Sequence, residues 1–200
     1  MKYLKLITII VALIAINNVN AQEFFAEYNS TYFNKINTIN IDVETEYKYD
    51  LYVNMYSLDL NAETGGIIID EKTNNNFINS LTLAKSKYVE WANVALTNKV
   101  DVARKKMDYS CIVDGYFLYG DEWHINRSIK LDYVFKIVET GPVLIVYTNK
   151  MISGSNEYID HKGFAFVFQN VKEINDFINI MSQKSIDTHI KKPKSIDLFK

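Results

Sequence analysis

Two of the three histidines in the sequence stand next to carboxylates, and these groups are its clearest candidates for acid–base or metal chemistry. One group is Asp121-Glu122-Trp123-His124, and the other is Asp160-His161. A carboxylate beside an imidazole fixes the tautomer of the ring and stabilises its charged form, which general-base pairs and metal centres both require. An active site would need the two groups to meet in one cleft. The candidate residues are Asp121, Glu122, His124, Asp160 and His161.

The simpler interpretation is that both groups are solvated turn residues. His124 has the parity of the polar face of a strand, just past a hairpin turn. The sequence has no His-Glu-x-x-His pattern, no paired cysteines and no Asp-rich calcium loop. We therefore expect no catalytic residue, no metal and no cofactor. On this interpretation, replacing both His124 and His161 by Ala leaves stability nearly unchanged.

The other polar groups also have plain explanations. Asp42, Glu44 and Glu46 form a carboxylate ladder on one face of a predicted strand, which we assign to solvent exposure and edge protection. The basic cluster Arg104-Lys105-Lys106 is short and lies near acids, so we expect it to be solvated. No Gly-x-Ser-x-Gly elbow or phosphate-cradling glycine loop is present.

The N-terminal segment has the pattern of a secretory signal peptide. Lys2 and Lys5 precede an apolar run at residues 6–16, and a polar stretch then ends on Ala21. The apolar run is shorter than the roughly 20 residues that span a membrane as a helix. We therefore predict cleavage after Ala21, no retained transmembrane segment, and a periplasmic or extracellular mature chain. The Asn-Ala-Gln processing site resembles that of exported proteins from A/T-rich bacteria.

Charge and cysteine content narrow the class of protein further. The chain has 22 basic and 24 acidic residues, and removing Lys2 and Lys5 with the leader changes the formal charge from −2 to −4. This balance argues against nucleic-acid binding, which relies on a concentrated basic face. Cys111 is the single cysteine, so the chain has no internal disulfide, and we expect a buried strand residue at this position.

Alternating apolar and polar residues dominate the chain and predict an antiparallel sheet. We expect turns at Gly120-Asp121 and Gly141-Pro142, and a bend near Asn126-Arg127. The apolar residues from Trp123 to Ile137 share one parity, which predicts that they share one face. The predicted strands cover residues 39–47, 50–60, 67–69, 108–119, 122–137, 143–147 and 164–168.

Two segments have helical periodicity instead. Apolar residues recur at steps of three and four over residues 76–97, with side chains from Asn74 to Asn76 available as N-caps. A second helix is predicted after Asn170, with Glu173 as its capping-box partner. A short helix over residues 23–35 is a further possibility.

These elements predict an α+β fold, with a largely antiparallel meander sheet and two amphipathic helices packed on one face. We expect a signal peptide over residues 1–21, a single domain over 22–186 and a basic flexible tail over 187–200. Residues 39–97 and 130–183 have the same order of strands and helix, which suggests a weak internal duplication.

The aromatic surplus is the one compositional hint of function. Fourteen Tyr and eleven Phe exceed what the core needs, and either Tyr47 or Tyr49, and either Tyr116 or Tyr119, must be exposed. Surface tyrosines suit glycan or peptide binding. The sequence thus favours an exported, non-catalytic binding module for an unknown ligand, such as a glycan, a peptide or an envelope protein. The alternatives are a small exported hydrolase or metal-binding protein that uses His124 and His161, or a structural subunit of an envelope assembly.

Overall fold

The computed structural model describes residues 22–59 and 64–192 and shows an α+β fold built on an antiparallel sheet. The predicted signal peptide and its cleavage site lie outside the described residues, as does the end of the predicted tail. No helix within the described ranges is long and apolar enough to cross a membrane. The elements are β1 Glu23–Ser30, β2 Lys35–Thr45, β3 Lys48–Asn54, β4 Tyr56–Ser57, β5 Gly65–Asp70, α1 Asn74–Thr97, β6 Arg104–Tyr119, β7 Glu122–Val138, β8 Gly141–Thr148, β9 Met151–Ile152, β10 Asp160–His161, β11 Phe164–Phe168, α2 Val171–Ile180 and α3 Gln183–Ile190.

The main sheet curls into a half-barrel because β3 and β4 pair with different neighbours. Its strand order is β1-β2-β3-β5-β6-β7-β8-β11-β4, and every neighbouring pair is antiparallel. Only Met55 separates β3 from β4, yet β4 pairs with β11, where Ala165 lies opposite Tyr56. The curl also brings β1 to β11, since the Ser30 hydroxyl donates to the Val167 carbonyl at 3.3 Å.

The helices pack on the inner face of this curled sheet and complete the core. The predicted stripe of α1 is buried there, and the Ser80 hydroxyl lies 2.6 Å from the Tyr133 hydroxyl of β7. Phe177 of α2 joins the same core against Tyr28 and Phe166. The fold class and the packing of the two predicted helices on one face are therefore confirmed. A third helix, α3, continues to Ile190, inside the segment predicted as a tail.

The start of α1 differs from the prediction. Thr73 occupies the N-cap position and makes no side-chain cap. Asn74 is buried, and its amide donates to the Tyr49 hydroxyl at 3.3 Å and to the Met181 carbonyl at 3.1 Å. The predicted cap residue therefore ties α1 to the sheet and to the end of α2. The N-cap at Asn170 is confirmed, because the Glu173 amide donates to its side chain at 3.0 Å. The Glu173 carboxylate returns to the backbone one residue earlier than a capping box requires, accepting the Gln169 amide at 3.0 Å.

The suggested helix over residues 23–35 is wrong. Residues 23–30 form β1, which pairs with β2 along its whole length, from Glu23 opposite Ile41 to Ser30 opposite Lys35. The aromatic spacing of this segment is compatible with either period, and the neighbouring strand decides the outcome.

A bulge in β7 changes which residues face the core. Val113 lies opposite Ile129 and Gly115 opposite Asn126, so Arg127 and Ser128 both face one residue of β6, and Ser128 has a φ of 54°. The predicted bend is thus confirmed. The prediction of one shared face from Trp123 to Ile137 is wrong, because the bulge reverses the parity: His124 points inward before it, and Ile129 after it.

Two turns and the single cysteine lie at or close to their predicted places. Gly120 adopts the expected positive φ, 59°, in the β6–β7 hairpin. The β7–β8 turn falls at residues 139–140, so Gly141 and Pro142 already pair within the sheet. Cys111 is a buried residue of β6, as predicted, and burial raises the pKa of its thiol. The two segments of the suggested duplication both contain three neighbouring strands and a helix, β2-β3-β5-α1 and β7-β8-β11-α2, and their duplication stays a prediction.

Candidate functional site

His161 is the last residue of β10, and both nitrogens of its ring have hydrogen-bond partners. The Gly163 amide donates to its Nδ1 at 2.9 Å, so the ring proton sits on Nε2 and is donated to the Ser57 hydroxyl at 3.0 Å. The ring stacks on Phe164, with 4.1 Å between centroids. Burial lowers the pKa of His161 against the opposing effect of Asp59. His161 is therefore held neutral as part of the core.

His124 also contacts a serine hydroxyl, but only one of its two ring nitrogens has a hydrogen-bond partner among the described residues. Its Nδ1 lies 3.0 Å from the Ser153 hydroxyl, whose oxygen accepts backbone N–H groups from Ser155 and Asn156, each at 3.2 Å. The Ser153 hydroxyl also lies 3.0 Å from the Ser155 hydroxyl, so it joins His124 to the turn over residues 153–156. Nε2 is buried and has no hydrogen-bond partner within the described part of the chain.

The structure brings the two histidines together but not their carboxylates. Both imidazole rings contact Phe117, at centroid distances of 5.5 Å for His124 and 5.8 Å for His161. Asp121 and Glu122 are exposed on the hairpin, and Asp160 pairs with Lys150 at 2.8 Å. Each histidine thus has a serine partner in place of the adjacent acid.

This arrangement corrects the expectation of solvated histidines. His124 is 5% exposed and His161 is 1% exposed. Within residues 22–59 and 64–192, no cluster of His, Cys, Asp or Glu side chains has the geometry to hold a metal ion. The alternating pattern predicted that His124 lies at the surface. That prediction is wrong because the bulge in β7 reverses the alternation.

A different group of side chains gathers on the outer face, which we define as the side of β2, β3, β5, β6 and β7 turned away from the helices. The strand register places outer residues of successive strands directly opposite one another. Three rows result. The first is Asn54, Gly66, Tyr116 and Ile125; the second is Asn40, Tyr52, Ile68 and Asp114; the third is Asp42, Asp50 and Asp70.

Gly66 allows the first row to join across a strand. A Cβ at this position would lie 2.0 Å from the Val53 carbonyl oxygen, so no side chain stands between Asn54 and Tyr116. The Tyr116 hydroxyl crosses this gap and donates to Asn54 Oδ1 at 2.9 Å, while Asn54 Nδ2 donates to the Thr38 hydroxyl at 2.7 Å. The amide of Asn54 is therefore held in one orientation at the surface.

Aromatic rings continue from this link toward the β6–β7 hairpin. Tyr116 contacts Tyr52 at 5.6 Å and Trp123 at 5.7 Å between centroids. Trp123 is 58% exposed, although its neighbour Tyr116 is buried. The exposed indole is thus supported from one side by a fixed ring and offers its other side to solvent. This is the amphipathic, rigid surface that suits ligand contact.

Carboxylates border the aromatic rings. Asp42 lies opposite Asp50, and Asp50 lies opposite Asp70, which places like charges side by side across three strands. Burial, followed by the charges of Asp70 and Asp42, raises the pKa of Asp50. Asp114 forms an ion pair with Arg127 at the bulge. A groove of 180 Å³ is lined by Asp50, Asp70 and Asp114 together with the Tyr52 ring and the Ile125 side chain.

The acids of the predicted ladder therefore have separate environments. Asp42 belongs to the row across the sheet, whereas Glu44 pairs with Lys48 and Glu46 is exposed. The expected exposure of one tyrosine in each pair is confirmed, since Tyr47 and Tyr119 are exposed and Tyr49 and Tyr116 are buried. Sequence reasoning missed the cluster itself, and the doublet Gly65-Gly66 was its only local signal.

No protein-family description matches this chain, and no curated protein or solved structure is similar to it. The chemistry of the outer face and of the two histidine contacts therefore carries the functional assignment.

Proposed function

We propose that the chain is an exported bacterial, non-catalytic binding module that holds a glycan on the outer face. The exposed Trp123 ring, which packs on the buried Tyr116 ring at one end of the outer face, is the observation that carries this proposal. Sugars present apolar C–H faces that stack on aromatic rings and hydroxyls that need hydrogen-bond acceptors. The signal-peptide pattern of residues 1–21 supports export to the periplasm or beyond.

The polar groups elsewhere on the outer face suit the hydroxyls of an extended ligand of this kind. Ionised Asp50 and Asp114 oxygens accept hydrogen bonds only, whereas the Asn54 amide both donates and accepts. The Asn54 amide is oriented before any ligand arrives, by Tyr116 and Thr38. A group that is already fixed loses less entropy on binding, so preorganisation favours affinity.

The alternative of a hydrolase or metal-binding protein at His124 and His161 has one favourable observation, the contact between Ser153 and His124. However, the Ser153 oxygen already accepts two backbone N–H groups. Both side chains are 5% exposed, so a substrate carbonyl has no open approach to the hydroxyl. The contact is better explained as a turn that packs against the sheet.

Tryptophan fluorescence provides the test. The chain has two tryptophans, so a Trp91→Phe variant of residues 22–200 leaves Trp123 as the single reporter. We expect its emission to change with at least one member of a panel of cello-, chito-, xylo- and malto-oligosaccharides. Trp123→Ala in the natural background should abolish binding by calorimetry, because the stacking surface is lost. Tyr158→Ala, which removes another highly exposed ring, is the matched control and should bind normally.

Three results would contradict the proposal. One is an unchanged Trp123 emission with every oligosaccharide, and another is full binding by Trp123→Ala. The third is a response to peptides alone, which would replace the glycan by a peptide ligand on the same face.

A further inference from the structure

A second cavity opens where β4 separates from β2. The β2–β3 ladder begins at the pair Ile39–Val53, so within the described residues Lys35–Thr38 pair with β1 but not with β3. The chain then turns at Met55, and β4 leaves to pair with β11. The space between the diverging strands is a cavity of 460 Å³. This volume is within the roughly 300–1,000 Å³ of small-molecule sites.

One wall of this cavity is a flat aromatic surface. The rings of Tyr56 and Phe33 stack at 3.6 Å with an interplanar angle of 3°, which fixes the Tyr56 ring in place. Ile36 and Leu58 line the same space and are exposed. A planar apolar group of a ligand would therefore meet a rigid surface with aliphatic edges.

The polar groups of the cavity include two hydrogen-bond donors with unused capacity. The Lys35 ammonium lies 5.4 Å from the centre of the Tyr56 ring and has no ion-pair partner within residues 22–59 and 64–192. Asn37 is 5% exposed, and its Nδ2 has no hydrogen-bond acceptor in the same ranges. The acid of the cavity, Asp59, lies 3.5 Å from Lys162, which offsets its charge.

We propose that this cavity binds a small organic anion, a carboxylate attached to a planar apolar group. The carboxylate is the acceptor for Lys35 and the Asn37 amide, since charge-assisted hydrogen bonds are stronger than neutral ones. The planar group lies against Tyr56, between Ile36 and Leu58. A buried donor without a partner costs free energy, and a ligand oxygen removes that cost once the closed-off Asn37 amide turns toward the cavity.

This site is separate from the glycan surface proposed above. The two adjoin at Asn54, but the outer face is bordered by Asp42, Asp50 and Asp70, which disfavour an anion. The two proposals can therefore fail independently.

Phenylacetate and its neutral analogue phenylacetamide are the probes for this site. We expect phenylacetate to bind about tenfold more tightly than phenylacetamide in calorimetric titrations, because only the acid pairs with Lys35. In ¹⁵N-correlated NMR spectra of residues 22–200, phenylacetate should shift the side-chain amide signals of Asn37.

Single substitutions test which residue produces the preference for phenylacetate over phenylacetamide. Lys35→Met keeps the length of an exposed side chain but removes its charge, and it should make the two probes bind equally. Lys48→Met removes an exposed charge from β3, away from the cavity, and should preserve the preference. Trp123→Ala should leave phenylacetate binding unchanged.

The proposal is overturned if neither probe binds at millimolar concentrations, or if both bind equally to the natural chain. It is also overturned if Lys35→Met keeps the preference for the acid, or if the NMR shifts fall on the outer face and leave Asn37 unchanged. If Trp123→Ala abolishes phenylacetate binding, the two surfaces form one site and the assignment to this cavity is wrong.

Discussion

The two histidine–serine contacts have the same length but different consequences. Ser57 lies 3.0 Å from Nε2 of His161, and Ser153 lies 3.0 Å from Nδ1 of His124. The second nitrogen of His161 accepts the Gly163 amide, whereas the second nitrogen of His124 is buried without a partner in the described residues. One ring thus completes its hydrogen bonds within the fold, and the other carries an uncompensated polar group.

The serines explain why neither contact resembles a catalytic pair. Each closes a turn by accepting the backbone N–H group two residues later, from Asp59 to Ser57 at 3.1 Å and from Ser155 to Ser153 at 3.2 Å. A serine that is held by backbone donors packs its histidine neighbour in place. A short distance between a serine and a histidine therefore indicates a catalytic pair only if the remaining hydrogen-bond partners of both side chains allow it.

Replacing each histidine by Phe should give the largest difference between the two contacts. His161→Phe leaves the buried Gly163 amide without an acceptor, while Ser57 keeps only its bonds to the Asp59 backbone, so we expect the free energy of unfolding to fall by about 2 to 3 kcal/mol. His124→Phe removes the unsatisfied Nε2, and Ser153 keeps its backbone donors, so the loss should stay below about 1 kcal/mol. Urea denaturation of residues 22–200 measures both values.

This pair of variants also decides whether Nε2 of His124 is satisfied in solution. Equal losses for the two variants would mean that His124 has a partner that the distances do not reveal. A binding defect in His124→Phe without a loss of stability would support the alternative of a hydrolytic site.

A smaller effect is expected at the turn that holds His124. Ser153→Ala removes the acceptor of two backbone N–H groups, and the expected loss is about 1 to 2 kcal/mol. Ser155→Ala removes an exposed hydroxyl that lies 3.0 Å from Ser153 but leaves both backbone N–H groups their acceptor, and it should cost less than about 0.5 kcal/mol. Thermal or urea unfolding distinguishes the two. A loss of the same size for both would show that the turn as a whole, and not the Ser153 oxygen, stabilises this region.

Local sequence signals predicted the elements better than the sites. The steps of three and four residues over 76–97 predicted α1, which begins only two residues earlier. This was possible because helical periodicity depends only on residues within one segment. The hairpin at Gly120 was predicted for the same reason, since a positive φ is a requirement of one residue.

The face that each residue presents was harder to predict. Arg127 and Ser128 form a bulge that reverses the alternation, so the sequence pattern placed Trp123 in the core and His124 at the surface, opposite to the structure. The aromatic cluster on the outer face depends on the register of three strands that are far apart in sequence. Strand register cannot be predicted from composition or residue spacing, so the contact between Tyr52 and Tyr116 could not be predicted from the sequence.

The smallest expected effect is the pH dependence that His161 contributes to stability. Burial lowers the pKa of its imidazole, Lys162 acts in the same direction, and Asp59 and Asp160 oppose them. The folded chain then binds fewer protons than the unfolded chain below the ordinary histidine pKa of about 6.5. The contribution of His161 to stability is therefore complete above that pH and declines as the pH falls toward the pKa of the folded state, by at most about 1.4 kcal/mol per pH unit. The difference in unfolding free energy between the natural chain and His161→Phe should accordingly shrink when urea denaturation is repeated from pH 7.5 down to 5.5. A difference that stays constant over this range would show that burial does not hold the His161 ring neutral, and its role in the fold would then rest on its hydrogen bonds to Gly163 and Ser57 alone.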